Sequence, residues 1–356
     1  MANLFLDGSK LFHHLDEVER WDEGEAFAPI HVEVDPTGSC NHRCLFCYAD
    51  HYNHALGMLP RELFLNLMRN MGEMGVKSCL LAGTGEPLVN KHTVDAALAG
   101  FEAGVDMALN TNAIVLNEDK AARVLPALTW LRCSVMGHDA KTYARVHVTK
   151  PKDFDIALAN IAKAVEIKKQ NGLSVTIGIQ QVLLPENGKG VPELARIAKE
   201  IGVDYYVLKP FSVDQRNNYD ADGKTALELM HEFEPELQQA AALGDENFNS
   251  IIRWNTFGDD GSRIYSNCLG LPFISQIAAD GKVYTCCPFF GDDRYCLGDL
   301  RDASFSELWH GETARAVRKR VEEKQDVKKC MTHCRHHQIN TQLWQLRNPP
   351  DHVSFI

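Results

Sequence analysis

The stretch Cys40-Asn-His-Arg-Cys44-Leu-Phe-Cys47 places three cysteines in one short loop, directly after a β-rich run at residues 30–34. Three thiolates at this spacing can bind three irons of a cubane iron–sulfur cluster and leave the fourth iron open to another ligand. A zinc knuckle is the alternative reading of the same cysteines. Zinc takes four ligands, and His42 lies too close between Cys40 and Cys44 to complete a tetrahedron. The spacing therefore favours a [4Fe-4S] cluster with one open position.

Strand-like and helix-like segments alternate from about residue 30 to residue 210. Short β-rich runs are separated by stretches with apolar residues at helical spacing, the last of which ends at Gly202. Such alternation predicts an α/β fold with a parallel sheet. Six units are fewer than the eight of a closed barrel, so we predict an open, partial (β/α)6 barrel. The predicted strands are residues 30–34, 78–83, 107–111, 131–135, 174–182 and 205–209.

The pattern changes after Pro210. The next 55 or so residues are polar, rich in Asn, Asp and Gly, with one predicted helix at 225–243, and we interpret them as a bridge over the barrel mouth. A small cysteine-rich module follows, with a predicted β-hairpin turned by Asp280-Gly281 and later helices. The predicted division is an N-terminal extension (1–29), the barrel (30–210), the bridge (211–265), the cysteine-rich domain (266–345) and a tail (346–356).

Composition excludes some classes of function. The formal net charge of −11 argues against a general nucleic-acid binder, because there is no basic surplus to neutralise phosphates. No apolar run approaches the ~20 residues needed to span a bilayer, and the N-terminal residues lack the build of a signal peptide. We therefore expect a cytoplasmic protein without membrane contact. In that reducing compartment, eleven cysteines indicate metal ligands or catalytic groups rather than disulfides.

The cysteine loop, with Phe46 beside its last cysteine, resembles the signature of the radical S-adenosylmethionine (radical SAM) superfamily. In that family the amino and carboxylate groups of S-adenosylmethionine chelate the open iron. One electron then cleaves the sulfonium to methionine and a 5′-deoxyadenosyl radical, which abstracts hydrogen from substrate. The resemblance implies that Cys40, Cys44 and Cys47 bind this cluster.

Further residues resemble the family's cofactor-binding positions. Gly83-Thr84-Gly85-Glu86-Pro87 is similar to its second motif, which implies that Gly83, Gly85 and Glu86 bind the methionyl ammonium group. A tight strand–helix turn is the alternative reading of these glycines. Other polar residues end predicted strands, where barrel sites form; each could equally be a strand-end group with no role in the site. The predicted cofactor contacts among them are Asn112, Ser134 and Gln181, and Lys209 is predicted to orient substrate.

A third set of cysteines lies after residue 267. Their arrangement around Asp280-Gly281 resembles the auxiliary-cluster extension known as the SPASM domain, or its shorter twitch form. The resemblance implies a second [4Fe-4S] cluster on Cys268, Cys286, Cys330 and Cys334, although a four-thiolate zinc site is also possible. Cys287 and Cys296 are not assigned to this cluster. Their alternative roles are core thiols, alternative ligands or hydrogen donors to a product radical. Residues 288–310 continue the resemblance, with Trp309 expected to pack a helix against the module.

We predict a radical SAM enzyme that abstracts hydrogen from a small polar substrate of the sugar, nucleotide or nucleotide-sugar type. Oxidation would follow if the auxiliary cluster accepts an electron, and epimerisation if a cysteine returns hydrogen. A reducing partner such as flavodoxin or ferredoxin is expected. The alternatives are a peptide-modifying maturase, a non-catalytic iron–sulfur carrier or scaffold, and a zinc-binding interaction module. The 29 residues before the barrel are short for a peptide-recognition domain, which counts against the maturase, and Glu86 with its glycines argues against a carrier.

Overall fold

The computed structural model describes residues 9–52, 55–214, 216 and 219–355. Ten of their strands form one sheet, in the order β10-β9-β8-β1-β2-β3-β4-β5-β6-β7. The strands are β1 (His31–Val34), β2 (Ser78–Leu81), β3 (Asp106–Thr111), β4 (Leu128–Ser134), β5 (Thr176–Leu183), β6 (Tyr205–Pro210), β7 (Asn249–Ile252), β8 (Ile274–Ile277), β9 (Lys282–Tyr284) and β10 (Cys296–Asp299).

The predicted α/β fold with a parallel sheet is confirmed, and all six predicted strands are present. The sheet is larger than predicted, because β7 and β8 also pair in parallel, with β6 and β1 respectively. Only β9 and β10 run antiparallel to their neighbours. β7 was missed because its sequence, Asn-Ser-Ile-Ile, has no apolar alternation. β8 was predicted only as half of a hairpin, yet it is buried along its whole length and extends the main sheet.

The helices form a layer that follows the order of the strands. Neighbouring helices pack in the succession α12, α11, α2, α3, α4, α6, α7, α9, as consecutive units of a curved α/β layer do. The helices are α1 (Leu15–Asp22), α2 (Arg61–Met74), α3 (Thr93–Glu102), α4 (Glu118–Val124), α5 (Ala140–His147), α6 (Lys152–Gln170), α7 (Val191–Ile201), α8 (Ala226–Glu232), α9 (Glu234–Ala241), α10 (Trp254–Phe257), α11 (Phe305–His310), α12 (Glu312–Lys324) and α13 (His337–Arg347).

The prediction of a single helix at 225–243 is wrong. The chain there forms α8 and α9, which are separated at Phe233. Pro235 lies in the first turn of α9, where the missing proline N–H costs nothing, whereas inside a continuous helix it would break a hydrogen bond. Thr225 begins α8 with a capping box to Glu228.

One hydrophobic core joins the six-stranded region to the cysteine-rich module. Val32 of β1, Leu297 of β10 and Trp309 of α11 belong to the same buried cluster. Cys79 and Cys133 are fully buried in it, where their thiols serve as small apolar groups. Among the described residues, no helix is long and apolar enough to cross a membrane.

Trp309 connects the module to the start of the sheet. Its side chain is 2% exposed, its Nε1–H donates to the carbonyl of Phe27 at 2.8 Å, and Arg318 lies 4.3 Å from its ring centre. We predict that Trp309→Phe lowers the free energy of unfolding by about 1–3 kcal/mol, the cost of leaving a buried carbonyl without its donor. Urea denaturation monitored by circular dichroism measures this change. Trp254→Phe, at a 37% exposed position, is the control; equal losses in the two variants would contradict the assignment.

Candidate active site

The cysteine loop between β1 and α2 carries Cys40, Cys44 and Cys47 at the edge of a cavity of about 250 Å³. The loop has little regular structure and is held by neighbouring backbone. Burial raises the pKa of Cys44 well above its usual value, and the other two thiolates raise it further. These three thiols resist ionisation in the absence of a metal. They are suited to an iron–sulfur cluster, because the positive charge of its irons offsets the repulsion between the thiolates.

The loop after β2 packs directly on the cysteine loop. A Cβ on Gly85 would come within 2.2 Å of the Thr37 carbonyl, and one on Gly83 would meet the Asp35 carboxylate. The backbone N–H of Glu86 also donates to the carbonyl of Ser39 at 3.0 Å. Both glycines line the cavity. Gly85 is therefore required by the close approach of two backbones, and Gly83 by the adjacent Asp35 side chain.

Glu86 is a fixed carboxylate facing this cavity. It is 3% exposed and accepts hydrogen bonds from the hydroxyl of Thr111 (2.7 Å) and the backbone N–H groups of Asn112 (2.7 Å) and Leu88 (3.1 Å). Burial raises its pKa, which those three bonds oppose. A buried carboxylate with unused lone pairs fits an ammonium group, so the site suits the cofactor that the resemblance implies.

The other strand-end residues divide into two groups. Asn112, Ser134 and Lys209 line the cavity, and the Asn112 amide donates to Asn41 of the cysteine loop at 2.6 Å. Gln181 does not line it: its side chain is fully buried and accepts a hydrogen bond from the Tyr206 hydroxyl at 2.5 Å. Because side chains alternate along a strand, the preceding residue, Gln180, faces the cavity instead. The placement of Gln181 does not fit the cofactor contact predicted for it.

The second set of cysteines gathers beside a larger cavity of about 510 Å³. Cys286, Cys330 and Cys334 line it, and Cys268 is buried next to them. Burial raises the pKa of Cys286 well above its usual value, and the charges of Cys268, Cys334 and Cys330 add to that effect. Amide donors face two of these sulfurs, with Asn340 Nδ2 3.5 Å from Cys268 and Gln325 Nε2 3.7 Å from Cys330. Four thiols whose charges act on one another, two of them facing amide donors, fit a fully ligated cluster.

Cys287 and Cys296, which were predicted together, both pack against a small apolar cluster that includes Tyr284, but only one of them faces the cavities. Cys287 lines both cavities, and burial raises the pKa of its thiol to about 12, so it is an S–H group at neutral pH. Cys296 lines neither; its sulfur lies 3.7 Å from the carbonyl of Gly298, in a small apolar cluster with Tyr284. Only Cys287 is therefore placed to meet a ligand in these cavities.

A shared wall separates the two cavities. Seven residues line both: Tyr48, Lys209, Pro210, Ser212, Gln276, Cys287 and Arg335. Arg335 donates from Nε to Glu33 at 2.8 Å, and although burial opposes it, this guanidinium holds the pKa of Glu33 at about 2. The pair therefore stays ionised and links the cysteine-rich module to β1.

Sequence reasoning missed several residues of the site. Asp35, whose pKa is raised to about 7 by burial, accepts from the Thr84 hydroxyl at 2.5 Å. Its position one residue after β1 was a usable signal, because strand-end residues meet at this edge. The Glu33–Arg335 pair joins residues about 300 positions apart, and no local pattern in the sequence indicates it.

The zinc alternative has little support in the geometry. Among the described residues, one group of three or more possible ligands lies within 4.8 Å: His42, Cys44 and His147. Three ligands fall short of the four that a structural zinc site takes. In addition, the Met136 backbone N–H donates to His147 Nε2 at 3.1 Å, which places the hydrogen of a neutral ring on Nδ1, the nitrogen that faces Cys44, where it leaves no lone pair for a metal.

Comparison with known proteins agrees with this arrangement. The sequence model of the Radical SAM superfamily matches residues 34–198, and that of the SPASM iron–sulfur cluster-binding domain matches residues 268–336. The cofactor-modifying protein of the tungsten-containing aldehyde ferredoxin oxidoreductase of Pyrococcus furiosus is 23% identical over 319 residues, 80% of this chain and 81% of that protein. The AdoMet-dependent heme synthase of Methanosarcina barkeri is 24% identical over 311 residues, 82% of this chain and 84% of that protein.

A solved structure shares the fold. The crystal structure of Streptococcus suis SuiB bound to S-adenosylmethionine has a TM-score of 0.66 and 15% sequence identity, with 100% of this chain and 84% of that chain covered. The two family matches confirm the predicted resemblance and cofactors. The chain combines a radical SAM domain (residues 34–198) with a SPASM-type iron–sulfur domain (residues 268–336), and its cofactors are [4Fe-4S] clusters and S-adenosylmethionine.

Proposed function

We propose that this enzyme abstracts hydrogen from an anionic small molecule bound in the larger cavity, between its two sets of cysteines. The observation that carries the proposal is the shared wall, where Lys209 and Cys287 face both cavities. A substrate lying against this wall reaches S-adenosylmethionine on one side and the auxiliary cysteines on the other.

The cluster on Cys40, Cys44 and Cys47 would supply one electron to S-adenosylmethionine, whose cleavage gives methionine and the hydrogen-abstracting 5′-deoxyadenosyl group. The chain's own residues position these partners. Glu86 would hold the ammonium group of S-adenosylmethionine, Phe46 and Gln180 border the cofactor cavity, and the four auxiliary thiols would hold a second one-electron centre. A reducing partner such as flavodoxin or ferredoxin is required to supply the first electron.

The charge of the larger cavity favours an anionic substrate. Six cationic side chains and two aspartates line its described part. Most of these cations have an acidic partner, such as Asp214 for Arg216 at 2.8 Å. Lys209, by contrast, has no hydrogen bond or ion pair with a described residue. Burial, together with the charges of the neighbouring Arg335, Arg132 and Arg253, lowers the pKa of Lys209 to about 7. A carboxylate or phosphate on the substrate would compensate the excess of positive charge in this cavity.

Among the substrates predicted from the sequence, which are sugars, nucleotides and nucleotide sugars, those with an acidic group suit this cavity. The relatives' names supply other candidates: one is a heme synthase and one modifies the cofactor of a tungsten enzyme. SuiB has also been solved with its precursor peptide, and a peptide with an acidic side chain would present the same carboxylate. Transfer of deuterium from labelled candidates into 5′-deoxyadenosine distinguishes these classes.

The fate of the substrate radical depends on Cys287. Its S–H group can return a hydrogen atom to the substrate radical, leaving a sulfur radical that needs one electron and one proton from the reducing system. Loss of an electron from the substrate radical to the auxiliary centre, with loss of a proton, would instead give oxidation. The position of Cys287 favours hydrogen return, because this residue lines both cavities and so lies beside the proposed substrate site.

We predict about eight irons per chain after anaerobic reconstitution with iron and sulfide, and 5′-deoxyadenosine after addition of dithionite and S-adenosylmethionine. The double variant Cys40→Ala/Cys44→Ala should retain about four irons and form no 5′-deoxyadenosine. Cys330→Ala/Cys334→Ala should also retain about four irons but still cleave the cofactor, because the first loop is intact. Iron analysis and chromatography measure both. Four irons in the wild type, or zinc after reconstitution, would contradict two clusters.

We predict that Cys287→Ala lowers product formation at least tenfold while deuterium transfer into 5′-deoxyadenosine continues. Cys296→Ala is the matched control, since its sulfur lines neither cavity, and it should retain turnover. The measurement is mass spectrometry of product and 5′-deoxyadenosine with labelled substrate. Unchanged product formation in Cys287→Ala would indicate oxidation without hydrogen return. A reconstituted Cys287→Ala protein with fewer irons than the wild type would instead identify Cys287 as a ligand.

We predict that anion binding near Lys209 weakens about tenfold from pH 6 to pH 8. With a pKa of about 7, the protonated fraction falls from about 0.9 to about 0.1, and affinity falls with it. Isothermal titration with sulfate or succinate measures this on reconstituted enzyme. Lys209→Met should bind weakly at both pH values, and Lys209→Arg should bind equally at both.

Lys329→Met is the control for general charge, because Lys329 lines the same cavity but lies 3.7 Å from Asp326. Loss of affinity in Lys329→Met equal to that in Lys209→Met would contradict a specific anchor. If Lys209→Met lost affinity for S-adenosylmethionine rather than for the anions, Lys209 would be a cofactor contact.

A further inference from the structure

His147, the last residue of α5, lies between the cysteine loop and the end of β4. Its Nδ1 is 3.2 Å from the sulfur of Cys44, and its Nε2 is 3.1 Å from the backbone nitrogen of Met136. The side chain is almost completely buried. Both ring nitrogens therefore have a partner in the protein, and one of those partners is a predicted cluster ligand.

The contact with Met136 fixes which nitrogen of His147 carries the proton. A backbone N–H can only donate, so Nε2 must accept with its lone pair. In a neutral imidazole the hydrogen is then on Nδ1. That hydrogen points to the sulfur of Cys44, and the two contacts together fix the orientation of the ring.

The position of Cys44 relative to His147 does not depend on the sulfur contact alone. The backbone N–H groups on either side of Cys44 donate to the end of α5: Arg43 to the His147 carbonyl at 3.1 Å and Leu45 to the Val146 carbonyl at 3.0 Å. α5 ends there because Val148 adopts the left-handed conformation, with φ of 49°. For a β-branched residue this is an outlier, and it leaves those two carbonyls available to the loop.

We propose that His147 is a positioning residue that donates Nδ1–H to the Cys44 sulfur and raises the reduction potential of the cluster on Cys40, Cys44 and Cys47. Reduction adds negative charge that is partly carried by the ligand sulfurs. A hydrogen bond to a sulfur stabilises the reduced state more than the oxidised state. The inference rests on the cluster alone and not on the identity of the substrate.

His42 provides a matched control within the same site. Its ring centre is 4.9 Å from that of His147 and it is equally buried, but neither of its ring nitrogens has a hydrogen-bond partner among the described residues. Replacing His42 therefore removes a neighbouring imidazole without removing the N–H···S bond.

The test is a redox titration of reconstituted His147→Leu, His147→Asn and His42→Leu, followed by electron paramagnetic resonance. The signal that changes on addition of S-adenosylmethionine reports the cluster with the open iron. We expect its midpoint potential to fall in His147→Leu, by 59 mV for each tenfold loss in the ratio of reduced to oxidised cluster at a fixed potential. His147→Asn, whose amide N–H can replace Nδ1–H, should recover part of the loss, and His42→Leu should match the wild type.

An unchanged midpoint in His147→Leu at full iron content would overturn the proposal, as would an equal fall in His42→Leu. If His147→Leu fails to hold the cluster, pulsed resonance on wild-type protein labelled with ¹⁵N-histidine decides the matter. A histidine nitrogen coupled to the reduced cluster, lost in His147→Asn and kept in His42→Leu, supports the bond; absence of that coupling overturns it. Wild-type protein that binds no cluster would overturn the proposed function as well, and iron analysis distinguishes that case.

Discussion

The site depends on backbone hydrogen bonds that hold an irregular loop at the carboxyl edge of the sheet. The loop from Asp35 to Cys47 contains neither strand nor helix, and burial is the main reason that the pKa of Cys40 is raised to about 11. Gathering such groups is unfavourable in the absence of metal, because each sulfur loses solvation and repels the others once ionised. The neighbouring chain therefore has to supply rigidity. It does so on one side through Gly85 and Glu86 and on the other through the end of α5.

The pairing of β8 with β1 brings the cysteine-rich module beside the cysteine loop. β8 pairs in parallel with β1, with His31 opposite Ile274 and Val34 opposite Ile277. The loop after β1 carries the first set of cysteines, whereas the chain after β8 turns back through the antiparallel β9, which ends just before Cys286 and Cys287. A one-residue slip of this pairing would turn every buried side chain of β8 to the opposite face. Because both faces of β8 are buried, burial alone does not select the register; Gln276, directly opposite Glu33, specifies it by donating a hydrogen bond to that carboxylate at 3.0 Å.

The sequence was sufficient for most of this arrangement and insufficient for the rest, for identifiable physical reasons. The cysteine spacing and the alternation of strands and helices depend on local pattern, and both predicted the fold correctly. The pairing of β8 with β1, the Glu33–Arg335 ion pair and the contact of His147 with Cys44 join residues more than 100 positions apart, and a single sequence carries no period that indicates them. Gln181 shows a different limit. The strand was predicted, but two adjacent glutamines end it, and the direction of the side chains decides which one faces the cavity.

The charged residues in the wall between the two cavities also depend on how the cysteine-rich module packs against β1. Arg335 directly follows Cys334, so the chain that delivers an auxiliary thiol also delivers a guanidinium to Glu33 on β1. Gln276 of β8 donates to the other oxygen of Glu33 at 3.0 Å, so both oxygens of that carboxylate already have partners within the protein. Lys209 lies near this group but has no carboxylate of its own within ion-pair distance among the described residues, and burial together with the nearby arginines lowers its pKa. A structural role would be better served by an apolar residue, because an unpaired buried cation costs stability. A lysine at this position is therefore better explained by a negatively charged group that arrives with the ligand.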